Sequence, residues 1–255
     1  MSEVKASIRS ATSVRDVPFY NGEPVWISLR GWLIVLAMAA AGFAALVAAP
    51  TLAPGRLGGW IGVVLFVAAP LVGLRAAAGK HWTALFSRPT ARDIWIGLAF
   101  APCTLLISAI VALGVMRVQL TAANPIAATL LQLHGADLAL FIAATAPQLL
   151  GEELITIIPF IAVLTFLSVR CGLSRKVAIL GAWIGSAVLF GLLHLPTYQW
   201  NLGQVLLIIG TARLVLTVPY LITKNIWSST IAHVANDWLI FAVVLVAGAA
   251  GLKVS

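Results

Sequence analysis

Seven long apolar runs, parted by short gaps that hold almost all of the basic residues, leave this chain few folds to choose from. Backbone placed in hydrocarbon must satisfy its own hydrogen bonds, so only helices and closed barrels cross a bilayer. Barrel strands need roughly 10 residues and helices roughly 20. The runs fall at 32–52, 57–74, 94–116, 138–169, 177–195, 202–222 and 226–249, and all have helix length. The expected fold is therefore all-α, a polytopic transmembrane helical bundle of about seven to eight spans. Composition agrees: 61% of the 255 residues are apolar and 9% are charged, which no soluble domain of this size matches. Residues 1–30 read as a cytoplasmic N-terminal tail and 31–255 as one transmembrane domain, with a motif-bearing core at 137–249. Pro147 and Pro159 are expected to kink the long fourth span, and the 117–137 connection to hold a short interfacial helix.

A formal charge of +8 would suit a nucleic-acid binder, but its distribution does not. Lys5, Arg9, Arg15, Arg30, Arg75, Lys80, Arg88, Arg92, Arg170, Arg175, Lys176 and Lys224 fall on one side of the spans. Arg56, Arg117 and Lys253 fall on the other. This is the positive-inside pattern of a multi-pass membrane protein, with a cytoplasmic N-terminus and, for seven spans, an outer C-terminus. The partners expected are the lipid bilayer and a membrane-associated substrate, not nucleic acid. Two cysteines, Cys103 and Cys171, provide neither a disulfide framework nor a thiolate metal site.

The polar residues inside the runs are what hydropathy does not explain. Glu152 and Glu153 stand side by side in the fourth span, and an ionised carboxylate there costs roughly 2.5–3.5 kcal/mol even on an insertion scale. On a helix they project about 100° apart, so one partner cannot face both squarely. Gln148 and Thr156 share the face of Glu152. His194 ends the fifth span, Arg213 lies in the middle of the sixth, and His233, Asn236 and Asp237 share one face of the seventh. Gly181 and Gly185 form a small-xxx-small pair that would admit a close helix neighbour. Carboxylates and imidazoles from three spans, brought together in a bundle core, have the chemistry to hold zinc or activate a water. A buried ion-pair network or a proton relay for transport uses the same residue types.

Glu152-Glu153, then Phe190-Gly-Leu-Leu-His194, then His233-Val-Ala-Asn-Asp237 resemble the EExxxR, FxxxH and HxxxN/D motifs of the CAAX-protease and bacteriocin-processing family. The resemblance covers the chain from Asp137 onward and implies an intramembrane endopeptidase acting on a membrane-associated peptide or protein, in a bacterial cell membrane. It implies that Glu152 activates the attacking water, with Glu153 beside it and His194 helping to hold that water. It also implies that His233 and Asp237 stabilise the oxyanion or, in a zinc version, that Glu152, His194, His233 and Asp237 bind the metal. The motif arginine would fall at 157, where Ile157 stands, and Asp237 ends the third motif where Asn is common. An ionised Asp cannot donate to an oxyanion, whereas Asn236 can. Arg213 is expected to take the missing arginine's place and reach Glu152 or Glu153. A catalytically silent scaffold or immunity-type member is the alternative. A proton-coupled transporter is disfavoured by the lack of an internal repeat.

Overall fold

The computed structural model describes residues 15–53 and 55–252, so Lys5, Arg9, Lys253 and the start of the expected tail lie outside the described residues. Helix α1 spans Leu29–Leu52 and α2 spans Arg56–Ala78, running on as a tighter 3-10 segment, Gly79–Leu85. Helix α3 is Ala91–Met116, the short α4 is Pro125–Gln132, and α5 is Gly135–Thr165, extended by a π turn at Phe166–Arg170. Then come α6 at Arg175–Leu193, α7 at Leu202–Thr223 with a π turn at Val205–Ile209, and α8 at Ile226–Ala249. All but α4 are long and apolar enough to cross a membrane, which makes seven such helices among the described residues. This is the expected all-α polytopic bundle.

The helix starts follow from capping. Thr90 accepts from the Asp93 N–H while the Asp93 carboxylate accepts from the Thr90 N–H, a reciprocal box that sets α3 off three residues before its apolar run. Asn124 caps α4 ahead of Pro125, whose fixed φ suits the first helical position. That helix lies inside the 117–137 connection, where a short one was expected.

Helix α5 is the axis of the bundle. The most apolar stretch of its span is 78% buried, against 17–39% for the other six. Both Pro147 and Pro159 lie within it, and the helix continues through each. Two apolar clusters sit along it. One gathers Leu154, Ile157, Phe160 and Ile161 with Leu74, Tyr220 and Ile226. The other packs Leu130, Phe241 and Val244 against Ile126, Phe141 and Ile142. On α5 the glutamates fall between the two clusters, and on α8 His233, Asn236 and Asp237 do the same. The outward faces stay apolar, as with Leu106, Ile110 and Leu113 on α3, which suits contact with lipid.

Residues 15–28 differ from the tail expected there. Val17, Phe19, Tyr20 and Ile27 are buried in the first apolar cluster, next to Trp32 and Leu85. Arg15 pairs with Asp93 at 3.1 Å, and Asp93 also accepts from Asn225. The segment thus closes one end of the bundle over the start of α3 and the α7–α8 turn. Mixed polarity without a period concealed this packing. Asp16 accepts from the Val17 N–H, from Arg175 and from the Tyr20 hydroxyl. Partial burial pushes the Asp16 carboxyl up, but those donors together hold it below the usual carboxylate range. The resulting stabilisation is fully present above the unfolded carboxyl value of about 3.9 and disappears as the pH falls through the lower folded value. Thermal melts of the parent and Asp16→Asn should therefore differ near neutrality and converge in acid.

Candidate active site

Glu152 and Glu153 occupy adjacent positions on α5 yet face different surroundings. Glu153 and Arg213 of α7 are both wholly buried, with Arg213 Nη2 2.6 Å from Glu153 Oε1. The same oxygen lies 2.9 Å from His233 Nδ1 of α8. Glu152 is turned the other way, with 15% of its side chain exposed, into a cavity of about 420 Å³. Its Oε1 accepts from the Gln148 amide at 3.3 Å, and its Oε2 is 3.8 Å from His233 Nε2. Thr156 does not reach the carboxylate, because its hydroxyl donates to the backbone carbonyl of Glu152. One glutamate of the pair is thus dry and neutralised, while the other is wet and held.

His194, His233, Asn236 and Asp237 line this cavity with Glu152, and so does Arg213. His194 caps the C-terminus of α6, with its Nδ1 2.9 Å from the Phe190 carbonyl. A carbonyl only accepts, so Nδ1 carries the proton and Nε2 keeps its lone pair. His194 at the C-terminal end of α6 and His233 early in α8 both reach the one cavity. Asp237 Oδ1 lies 3.9 Å from His233 Nε2 and accepts from Asn236 Nδ2 at 3.0 Å. Asn236 therefore turns its amide nitrogen to its neighbour, and its Oδ1 is buried with no hydrogen-bond partner among the described residues. Behind the histidines stands Phe190, whose ring centroid is 4.5 Å from that of His194 and 6.3 Å from that of His233.

Helices α6 and α7 make close backbone contact at Gly191. A Cβ there would lie 2.6 Å from the Val205 carbonyl oxygen, a separation that real side chains do not tolerate. Gly181 and Gly185, the pair singled out by spacing, do not serve this purpose. Gly185 has nothing within reach of a Cβ, and Gly181 meets only the Leu167 side chain. The π turn at Val205–Ile209 inserts about one residue ahead of Arg213, which turns the downstream side chains by roughly 100°. That re-aiming brings Arg213 to the cavity. Ile157, at the motif arginine's position, is wholly buried among Leu154, Ile158 and Ile161.

Sequence reasoning missed one wall of the cavity. The Tyr198 hydroxyl accepts from Asn124 Nδ2 at 3.2 Å, and both residues line the space. Burial, with the Asp237 and Glu152 carboxylates nearby, pushes the Tyr198 phenol up to about 12, so it keeps its proton. Beside it, the segment after α3 is laced to the start of α7. Gln204 donates to the Ala122 carbonyl and accepts from the Ala122 N–H, both at 2.8 Å, while Asn201 donates to the Leu120 carbonyl at 2.8 Å. Gln119 donates to Asn201 at 3.1 Å. A tyrosine in a turn with its partner 74 positions away leaves no mark in a periodicity.

No three His, Cys, Asp or Glu side chains among the described residues are gathered closely enough to hold a metal ion. As placed here, the four donors named for zinc do not form a binding set.

A bundle with seven helices long and apolar enough to cross a membrane thus carries a carboxylate and two imidazoles on one cavity. Residues 134–239, which carry all three motifs, match the family model described as type II CAAX prenyl endopeptidase Rce1-like. That match supports, over this segment, the resemblance to the CAAX-protease and bacteriocin-processing family, and the type the model describes is a peptide hydrolase. No curated protein matches the chain, and no solved structure matches it.

Proposed function

We propose that this cavity hydrolyses a peptide bond with a water activated by Glu152. The observation that carries this reading is the division between the two glutamates. Only Glu152 faces the cavity, while Glu153 is spent on Arg213 and His233. The water oxygen attacks the scissile carbonyl carbon as its proton passes to the Glu152 carboxylate. When the tetrahedral intermediate collapses, the C–N bond breaks and Glu152 returns that proton to the leaving amine. The His194 Nε2 lone pair accepts from the water and fixes its approach. His233, bonded to Glu153 and beside Glu152, holds the two walls in register. No step in this scheme is routed through a metal.

The family described by the matching model points to a peptide with a prenylated CAAX end as substrate. The test is cleavage of such a peptide by the purified full-length protein, with the unprenylated peptide alongside. Cleavage is expected, and absence of cleavage of either peptide would sink the reading. A chelator added to the same assay tests the zinc version. Activity lost to chelation and restored by zinc would bring the metal into the site.

The same reading places the N-terminus in the cytoplasm, supported by the excess of basic residues on that side. A reporter fused at the C-terminus should then be active outside the cytoplasm, and one inserted between Arg75 and Arg92 active inside. A cytoplasmic C-terminal reporter would reverse the assignment.

A further inference from the structure

We propose that this cavity takes its substrate from the non-cytoplasmic face of the membrane, and so acts on peptide that is exported or anchored in the outer leaflet. The proposal rests on the hydrolytic reading above and deepens it by naming the side from which the peptide comes. The spans run in alternate directions, so α3, α6 and α8 end, and α5 and α7 begin, at one face of the bundle. Contacts between the connections bear out this grouping. Asn124, between α3 and α5, reaches Tyr198, between α6 and α7. Arg56 at the start of α2 pairs with Asp137 in the first turn of α5. At the opposite face Arg15 and Asn225 both meet Asp93, and Arg175 meets Asp16.

The cavity opens toward the first of these faces and is shut toward the second. Asn124 and Thr197 are the exposed members of its lining, and both belong to connections at the first face. From there the lining runs inward to Glu152 on α5, Leu216 on α7 and His233 on α8, and goes no deeper. Past those residues lie Leu154, Ile157, Phe160, Tyr220 and Ile226, all buried in one apolar cluster. Val17, Phe19 and Ile27 then close the bundle at the far end of that cluster. A polar peptide backbone would have to shed its water to cross such a plug, so the second face offers it no passage.

Charge tells the two faces apart. Of the twelve basic residues that the sequence puts on one side, the ten within the described residues lie at the plugged face. Among the described residues, Arg56 and Arg117 are the basic ones at the open face, and Asp137 neutralises Arg56. Short basic connections stay on the cytoplasmic side, so the plugged face is cytoplasmic and the mouth faces out. A peptide made in the cytoplasm meets this site only after it has crossed the bilayer. Entry through the side of the bundle, from lipid, is the rival route, and it favours neither face.

The test is made on full-length protein in spheroplasts, which present the outer face, and in inverted vesicles, which present the inner one. In a Cys103→Ser background, Thr197→Cys places a thiol at the mouth, and the exposed Cys171, between α5 and α6, marks the plugged face. A membrane-impermeant maleimide should label position 197 in spheroplasts and Cys171 in inverted vesicles. The prenylated peptide, carried on a hydrophilic polymer too large to cross the bilayer, is then offered to the unsubstituted protein. Spheroplasts should cleave it, and inverted vesicles should cleave it once detergent opens them. Labelling of position 197 together with Cys171 in inverted vesicles, or cleavage there without detergent, overturns the proposal. Equal cleavage from both faces does so too, in favour of entry from the lipid. With no cleavage even in detergent, the hydrolytic reading fails and the proposed substrate with it, while the labelling still reports the face on which the cavity opens.

Discussion

Glu152→Ala should give a protein that folds at least as well as its parent and cleaves nothing. The substitution removes a half-buried carboxylate from an apolar wall, which relieves a desolvation cost. Its hydrogen bond from Gln148 is long, at 3.3 Å, so little packing is lost with it. The chemical step loses its proton acceptor, an effect of about 10²–10⁴-fold for general base catalysis alone. The measurement pairs a thermal melt in detergent with the peptide assay, so that a dead but folded protein is recognised as such. A variant that still serves its purpose in cells at full strength would replace the protease reading with that of a silent scaffold.

Arg213→Ala should do the opposite and fail first as a fold. Both members of the Arg213–Glu153 pair are wholly buried, so removing the arginine leaves a carboxylate without its counter-charge in apolar surroundings. Breaking such a pair from one side costs about 3–5 kcal/mol, far more than the intact pair contributes over an apolar replacement. The expected result is a large drop in melting temperature or loss of expression, largely reversed by adding Glu153→Gln. An Arg213→Ala protein as stable as the parent would mean that the charge on Glu153 is absorbed elsewhere.

The spans were legible because a bilayer sets their length, and apolar runs long enough to cross it leave little choice of element. Their starts were less so, since the Thr90–Asp93 box begins α3 ahead of the apolar run. The cluster of Glu152, Glu153, Arg213 and His233 was also legible, because each is expensive in hydrocarbon and they can compensate one another. Adjacency implied that the two glutamates face different ways. It did not say which of them faces the cavity, a matter decided by how α5 packs on α7 and α8. The glycine pair failed for a related reason. Spacing finds a smooth helix face, and only tertiary contact selects between the Gly181–Gly185 face and Gly191. Tyr198 with Asn124, and Val17 to Ile27 packed under the bundle, depend on partners distant in sequence and have no local signature.

The lacing between the segment after α3 and the start of α7 sets the cost of any entry that has to part them. Five hydrogen bonds join the two stretches, from Gln119, Ala122, Asn124, Asn201 and Gln204. At roughly 0.5–1.5 kcal/mol each, already net of exchange with water, parting the two stretches would cost about 3–7 kcal/mol. A population parted in that way would amount to roughly one molecule in 10²–10⁵ at any instant. A peptide arriving by this route would wait on the loops, so its turnover would be timed by an opening event. A chain that slips in sideways between helices, from the lipid, would not meet that clock.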